Sequence, residues 1–240
     1  LPDTQFYSQR HPDTYISQTQ WIKDRVGADN IKFVLHLGDI VQNYNDSEEE
    51  WRAADRAHRI LEGAVPYSVV PGNHDIGDKP NAFVAVPPVA DGYYPVFERH
   101  WGPAFRSFEE DGLHFVIIDT PVLNSGLERE AAQQAWLEED LAGAAEAGHR
   151  IFLFTHYPPF VRSAHEIEHY DNIGEPARSW LLALIEQYGV EGVFSGHVHN
   201  FAYNHHTGTE LYVLPSTGFV RPDYSELSAL MPESEGGRDD

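Results

Sequence analysis

"GVFSGHVHNF", residues 192–201, is an apolar run that stops at a Ser-Gly pair and is followed by two histidines on alternate positions. In extended backbone, side chains two residues apart point to the same side. His197 and His199 are therefore expected to face one point, while Val198 turns away. Two imidazoles that face one point could bind a metal ion, an interpretation that the rest of the chain must support. The alternative is chance, because 14 of the 240 residues are histidines and another pair stands at 205–206.

The composition limits the kinds of site and partner to consider. The chain has no cysteine, so any metal must be held by nitrogen and oxygen ligands. Acidic residues outnumber basic ones by 38 to 16, and the formal net charge is −22. Such a surface repels long nucleic acid. No apolar run approaches the roughly 20 residues of a membrane span.

Strand-like and helix-like patterns alternate along most of the chain. Continuous apolar runs predict strands at 31–37, 66–70, 113–118, 150–154, 190–194 and 210–216. Amphipathic patterns with capping signals predict helices at 14–27, 48–63, 128–148 and 175–189. Apolar strands that alternate with helices indicate a sheet covered on both faces, which is the α/β class.

Two segments break this rhythm within what we interpret as a single domain, residues 1–240. Residues 76–110 are rich in proline, glycine and aromatic residues, and we interpret them as a surface excursion near the active site. Their aromatic side chains could line a substrate wall or form a small core under the loop. Residues 229–240 are polar and acidic and are expected to form a loose tail.

Polar residues follow the predicted strands at the points where the strands end. In α/β sheets, functional groups collect at the carboxyl ends of the strands. Each residue alone has a plain explanation as a turn former, a helix cap or a core histidine. Their repeated occurrence at equivalent strand ends is better explained by one shared site. The residues at these positions, with two more from the start of the chain, are Asp3, Gln5, Asp39, Asn73, His74, His156, His197 and His199.

The same residues carry a resemblance to a known family. The chain contains, in order, DTQ (3–5), GDIVQN (38–43), GNHD (72–75), THYPP (155–159) and GHVHN (196–200). This set resembles the calcineurin-like metallophosphoesterases over residues 3 to about 220. The resemblance implies an α/β sandwich of two mixed β-sheets flanked by helices, in the order αββα. It also implies that the chain is a segment of a longer protein, truncated at both ends, and it favours an exported location over the cytoplasm.

The resemblance further implies a dinuclear metal site. Asp3, Gln5, Asp39 and His199 would hold one divalent cation, and Asp39, Asn73, His156 and His197 would hold the second, with Asp39 shared. His74 would contact the substrate phosphate and protonate the leaving oxygen, and Asp75 or another nearby carboxylate would orient it.

The implied function is hydrolysis of a small phosphomonoester or phosphodiester by a hydroxide that bridges the two metals. Many family members carry histidine where this chain has Gln5. Because an amide oxygen is harder than imidazole, we expect Mn²⁺ first, with Fe, Zn²⁺ or Mg²⁺ as alternatives. A non-catalytic binding module and a metal-dependent nuclease of the same fold are the alternative functions. The oligomeric state is left open by the sequence.

Overall fold

The computed structural model describes residues 1–43, 47–80 and 87–221. Its helices are α1 Phe6–Arg10, α2 Pro12–Arg25, α3 Glu48–Arg59, α4 Asn73–Ile76, α5 Tyr94–Trp101, α6 Glu128–Glu146 and α7 Ala177–Gln187. Its strands are β1 Val34–His36, β2 Tyr67–Val69, β3 Arg106–Glu110, β4 Leu113–Ile117, β5 Arg150–Thr155, β6 Gly192–Ser195, β7 Ala202–His206 and β8 Thr209–Val213. Across these ranges no helix is long and apolar enough to cross a bilayer.

The strands form a six-stranded mixed sheet and a two-stranded parallel sheet. The order in the large sheet is β3-β4-β5-β6-β8-β7, and its four inner strands are parallel. The two edge strands, β3 and β7, run antiparallel to their neighbours. β1 and β2 pair in parallel in the small sheet, with Leu35 opposite Ser68. The predicted α/β class, with sheets flanked by helices, is confirmed.

Three apolar clusters hold the layers together in the order αββα. Helices α6 and α7 cover the outer face of the large sheet through side chains such as Leu137 and Leu181. Between the two sheets, Leu37 and Val70 from the ends of the small sheet meet Ile117 and Phe154 from the large sheet. Helices α2, α3 and α5 cover the other face of the small sheet. The carboxyl ends of β1, β2, β5 and β6 therefore lie close together between the helical layers.

The first residues of the chain lie alongside β1. The backbone N–H of Leu1 donates to Leu35 O at 3.0 Å, and Leu37 N donates back to Leu1 O at 3.2 Å. This is the hydrogen-bond pattern of a parallel pair. The segment that leads into Asp3 therefore occupies the place of a parallel neighbour of β1, as the sequence required if Asp3 was to reach the site.

The structure also differs from the sequence interpretation. The chain forms β3 and β7, which the apolar pattern did not reveal because these edge strands are polar. For the aromatic side chains of 76–110 the sequence left a substrate wall and a small core open. The described part of this segment contains α5 and β3, and Tyr94 and Phe97 are fully buried. The expected tail at 229–240 lies outside the described residues.

Candidate metal centre

The carboxyl ends of four parallel strands and the start of the chain deliver all the predicted site residues to one place. Two backbone hydrogen bonds hold the first residues there, from Asp3 N to Gly38 O at 3.1 Å and from Gln5 N to Asp39 O at 3.0 Å. The seven predicted ligands are all buried: Asp3, Gln5, Asp39, Asn73, His156, His197 and His199. Their assignment as ligands stays a prediction, but their convergence is a property of the fold.

Four donor atoms surround one point at the ends of β1, β2, β5 and β6. Nε2 of His156 lies 3.2 Å from Asp39 Oδ1 and 2.9 Å from Asn73 Oδ1. Nδ1 of His197 lies 3.1 Å from the same Asn73 oxygen. Nδ1 of His156 donates to Leu37 O at 2.8 Å, which leaves Nε2 as the nitrogen able to bind a cation. Three of these residues, Asp39, His156 and His197, form one of the His and carboxylate groups able to hold a metal ion among the described residues.

A second set lies beside the first and shares Asp39 with it. It joins Asp3, Asp39 and His199, with His199 Nε2 3.4 Å from Asp3 Oδ1. Gln5 Nε2 donates to Asp39 Oδ2 at 3.1 Å. Oδ1 of Asp39 thus faces His156, and its Oδ2 accepts from Gln5. A carboxylate shared in this way can join two neighbouring cations.

The residues present fit such cations. Among the described residues, Oε1 of Gln5 is buried without a hydrogen-bond partner. Buried polar atoms are normally satisfied, so an unpaired acceptor at this place is what a bound cation would satisfy. Carboxylate, amide and imidazole donors suit divalent ions between Mg²⁺ and Zn²⁺ in softness.

The backbone of the ligands is unusual. Asp3, Asp39, His197 and His199 have φ of 52°, 54°, 65° and 62°, in the left-handed region that such residues rarely adopt. The prediction of extended backbone at 197–199 is therefore wrong. The left-handed residues place His197 and His199 in two neighbouring sets of candidate ligands instead of facing one point. Such strain clusters at functional sites.

Two glycines allow this close packing. A Cβ on Gly38 would lie 2.5 Å from His156 Nδ1, and a Cβ on Gly72 would lie 2.3 Å from Asp39 Oδ1. A side chain at either position would displace a candidate ligand. The glycines of the two motifs are therefore required by the approach of the strand ends to each other.

The charges of the site residues are mutually dependent. Burial alone would raise the pKa of Asp39, but His156 and His74 outweigh it and lower the pKa to about 2. Burial opposes protonation of His156, yet the ion pair with Asp39 raises its pKa to about 9. Burial and the neighbouring His156 hold the pKa of His197 well below its usual value. A cation that binds here must therefore displace the proton of His156.

His74 lies at the edge of the site and is half-buried. Its backbone N–H donates to Asp39 Oδ1 at 2.9 Å, and its Nδ1 donates to Gln42 O at 2.8 Å. Because a carbonyl can only accept, Nε2 is the atom left for proton exchange. The carbonyl of Gln42, rather than the expected Asp75, therefore orients the His74 ring.

Asp75 has a different place in the structure. Its Oδ1 accepts from Ile40 N at 2.9 Å and Val41 N at 3.1 Å, and its Oδ2 accepts from Gly72 N at 2.8 Å. Burial and the nearby Asp39 raise its pKa to about 8. Asp75 therefore ties the turn after β1 to the turn after β2.

Sequence reasoning missed residues that position Asn73. Nδ2 of Asn73 donates to Asp78 Oδ2 at 3.4 Å and to Tyr170 Oη at 3.3 Å, which turns Oδ1 towards the histidines. Tyr157 donates its hydroxyl to the other oxygen of Asp78 and packs against His197, with ring centroids 4.2 Å apart. None of these residues follows a strand end except Tyr157, next to His156. The strand-end pattern therefore could not find most of them.

Comparison with known proteins agrees with this geometry. The family model described as calcineurin-like phosphoesterase matches residues 3–201. The chain is 39% identical over 103 residues to the uncharacterized protein YvnB of Bacillus subtilis, a match that covers 42% of this chain and 7% of YvnB. It is 28% identical over 218 residues to the serine/threonine-protein phosphatase CPPED1 of Danio rerio, covering 86% of this chain and 68% of that protein.

A solved structure shows the same fold. The dimetal phosphatase from Danio rerio superposes with a TM-score of 0.57 at 15% identity, covering 83% of this chain and 77% of the other. At that identity the likeness concerns the fold alone. The chain spans only a small part of YvnB and about two thirds of the zebrafish CPPED1.

Proposed function

The chain belongs to the calcineurin-like phosphoesterase family, and from that premise we propose that it hydrolyses phosphoesters of small molecules with the help of two divalent cations. The observation that carries the proposal is the position of Asp39. Its carboxylate belongs to two of the groups able to hold a metal ion, one with His156 and His197 and the other with Asp3 and His199. A site for a single ion would not need this sharing.

Asp3, Gln5, Asp39 and His199 would hold the first cation, and Asp39, Asn73, His156 and His197 the second. Bound there, the two cations supply Lewis acidity and positive charge, which activate water and offset the charge of the phosphoryl oxygens. Gln5 contributes an amide oxygen to the first set. We therefore propose Mn²⁺ as the preferred ion, since a harder ligand set favours it over Zn²⁺.

His74 would act on the leaving group. With Nδ1–H held by Gln42 O, a proton on Nε2 can pass to the leaving oxygen as the ester bond breaks. Asp75 would position this machinery by fixing the two turns that carry Asp39 and His74. The phosphate itself would be held by the cations, so the strong negative charge of the chain does not exclude an anionic substrate.

A hydrolysis screen tests the activity. Protein stripped of metal is supplied with Mn²⁺, Zn²⁺ or Mg²⁺ and assayed on p-nitrophenyl phosphate and on its bis ester. We expect turnover that depends on the added metal, highest with Mn²⁺. No turnover of either ester with any metal, in folded protein that binds two cations, would show that the chain is a non-catalytic module.

A pair of variants tests His74. His74→Ala is expected to reduce kcat by roughly 10²–10⁴-fold, the usual contribution of a general acid, and to leave the metal content near two. His205→Ala is the matched control, because His205 is an exposed histidine on β7. Equal kcat in both variants would remove His74 from the mechanism. A reduced metal content in His74→Ala would give it a structural role instead.

A further inference from the structure

A third group of possible ligands lies away from the candidate metal centre. Glu109 on β3, His114 on β4 and His149, just before β5, bring one carboxylate oxygen and one nitrogen from each ring within 4.8 Å of one another. His149 precedes His156 by seven residues along β5. At roughly 3.3 Å per residue this is about 23 Å, at the opposite end of the parallel strands. The group therefore cannot share a cation with Asp39.

Its distances suit a tetrahedral ion. Oε1 of Glu109 lies 3.5 Å from His114 Nδ1 and 3.3 Å from His149 Nδ1. Donors at 2.0–2.2 Å from a tetrahedral Zn²⁺ are separated by about 3.3–3.6 Å. Two imidazoles and one carboxylate are also a ligand set that Zn²⁺ uses, with water in the fourth position. The two distances from Glu109 therefore match this ion, and the two histidine nitrogens lie within 4.8 Å of each other.

Two nitrogens of the group without hydrogen-bond partners also support a metal site. Both Nδ1 atoms are buried and have no hydrogen-bond partner among the described residues, although Glu109 is close to each. In a tetrahedral site each donor points at the cation and not at the other donors, so close approach without hydrogen-bond alignment is expected. The His114 side chain is only 5% exposed, so this unpartnered nitrogen belongs to a nearly buried ring.

Asp140 on α6 contacts the other nitrogen of the His114 ring. Its Oδ2 lies 2.8 Å from His114 Nε2, and its Oδ1 accepts from Ser107 Oγ at 2.5 Å. A histidine that binds a metal through one nitrogen commonly donates its other N–H to a carboxylate, which fixes the ring and strengthens the ligand. The hydrogen bond to Asp140 also raises the pKa of His114, so a proton is the competitor of the metal here.

We propose that Glu109, His114 and His149 form a third metal site for Zn²⁺ or a similar ion, with Asp140 orienting His114. The site joins the edge hairpin β3–β4 to the connection between α6 and β5. Glu109 is 56% exposed, so the ion can enter from solvent. Its role would be to hold the edge of the large sheet, independently of the phosphoesterase activity.

Zinc counting tests the proposal. The 240-residue chain is dialysed above neutral pH against Zn²⁺ alone, and the bound metal is counted for the wild type, His149→Ala and Glu109→Gln. We expect each variant to lose about one equivalent or to bind that equivalent at least tenfold more weakly. His149 lies in a connection, so its removal leaves the buried His114–Asp140 pair in place.

His205→Ala is the matched control. His205 Nδ1 also lies 3.2 Å from a glutamate, Glu210, but this pair belongs to none of the metal-binding groups found among the described residues. It is expected to bind zinc as the wild type does. Equal zinc content and affinity in all four proteins would overturn the proposal and leave Glu109 as an ion-pair partner of protonated histidines. Turnover of p-nitrophenyl phosphate with Mn²⁺ should be the same in His149→Ala and the wild type. Zinc counting therefore tests the third site, and turnover tests the proposed activity, so that either proposal can fail without the other.

Discussion

Asp119 provides the most quantitative test of how this fold treats buried charge. It follows β4, and its side chain is fully buried, with Oδ2 accepting from Tyr94 Oη at 2.5 Å and Oδ1 from Val122 N at 3.2 Å. Burial raises its pKa from 3.8 to about 7, although both hydrogen bonds oppose the change. The folded protein therefore holds a proton between about pH 4 and pH 7 that the unfolded chain has lost.

This difference makes the free energy of unfolding fall as the pH rises through that window. Each pH unit in which only the folded state binds the proton costs about 1.4 kcal/mol. The pKa interval from 3.8 to about 7 spans roughly three pH units. Ionised Asp119 therefore lowers the free energy of unfolding by up to about 4 kcal/mol above pH 7. Asp119→Asn removes the titration. We expect the stability of the variant relative to the wild type to increase by that amount from about pH 4 to about pH 8.

The assay is urea unfolding at a series of pH values, with a chelator present so that metal binding adds no pH dependence. Asparagine has a single acceptor oxygen, so the variant also changes one hydrogen bond. That change adds an offset that is the same at every pH, and the slope is the informative quantity. Asp24→Asn on α2 is the matched control, since Asp24 is exposed. A difference between Asp119→Asn and the wild type that stays constant over this range would refute the reasoning.

Three further predictions concern the turns and caps. Gln5→His should shift metal preference towards Zn²⁺ by about tenfold or more, because imidazole replaces an amide oxygen. Competition dialysis of Zn²⁺ against Mn²⁺ measures this preference. An unchanged ratio of bound Zn²⁺ to bound Mn²⁺ would exclude Gln5 as a ligand. Gly38→Ala should lower the free energy of unfolding by about 2–4 kcal/mol and weaken metal binding, because φ is 93° there and the new Cβ would lie 2.5 Å from His156 Nδ1. Urea unfolding measures the first effect and Mn²⁺ titration the second. Wild-type values in both assays would contradict the predicted clash. Ser47→Ala should cost about 1 kcal/mol, because Ser47 Oγ accepts from Glu50 N at 3.2 Å and caps α3; unfolding with bound metal removed is the measurement, and no loss would mean that water replaces the cap.

The sequence predicted those strands that are buried on both faces, and physical reasons explain the ones it missed. An apolar run such as 150–154 has no other stable place than the interior of a sheet, so its pattern is decisive. β3 and β7 each have only one neighbour, and their polar side chains remain at the sheet edge. Edge strands carry charge because it prevents pairing with other chains. Periodicity alone therefore could not separate them from loops.

The strand-end rule found the site but does not by itself identify a ligand. Asp119 also follows a buried strand, yet it bonds to Tyr94 and to the backbone N–H of Val122. Asp39 differs because glycine precedes it and allows close approach, and because histidines from two other strands face it. The useful signal is therefore a polar residue combined with a glycine turn and with matching residues at neighbouring strand ends. A single strand shows only the first of these.

The left-handed backbone of the ligands sets a requirement that the surrounding hydrogen bonds must meet. Each such residue costs on the order of 1–3 kcal/mol, and four of them together would consume much of the stability of an ordinary domain. Backbone N–H groups that donate to buried carboxylates hold these turns: Asp75 accepts from the two residues after Asp39, and Asp3 accepts from His197 N at 3.0 Å. Asp3 is thus both a candidate ligand and the anchor of the turn that carries the histidines. Removing its carboxylate should therefore release the backbone at 197 as well as a cation, so that added metal alone cannot restore the geometry.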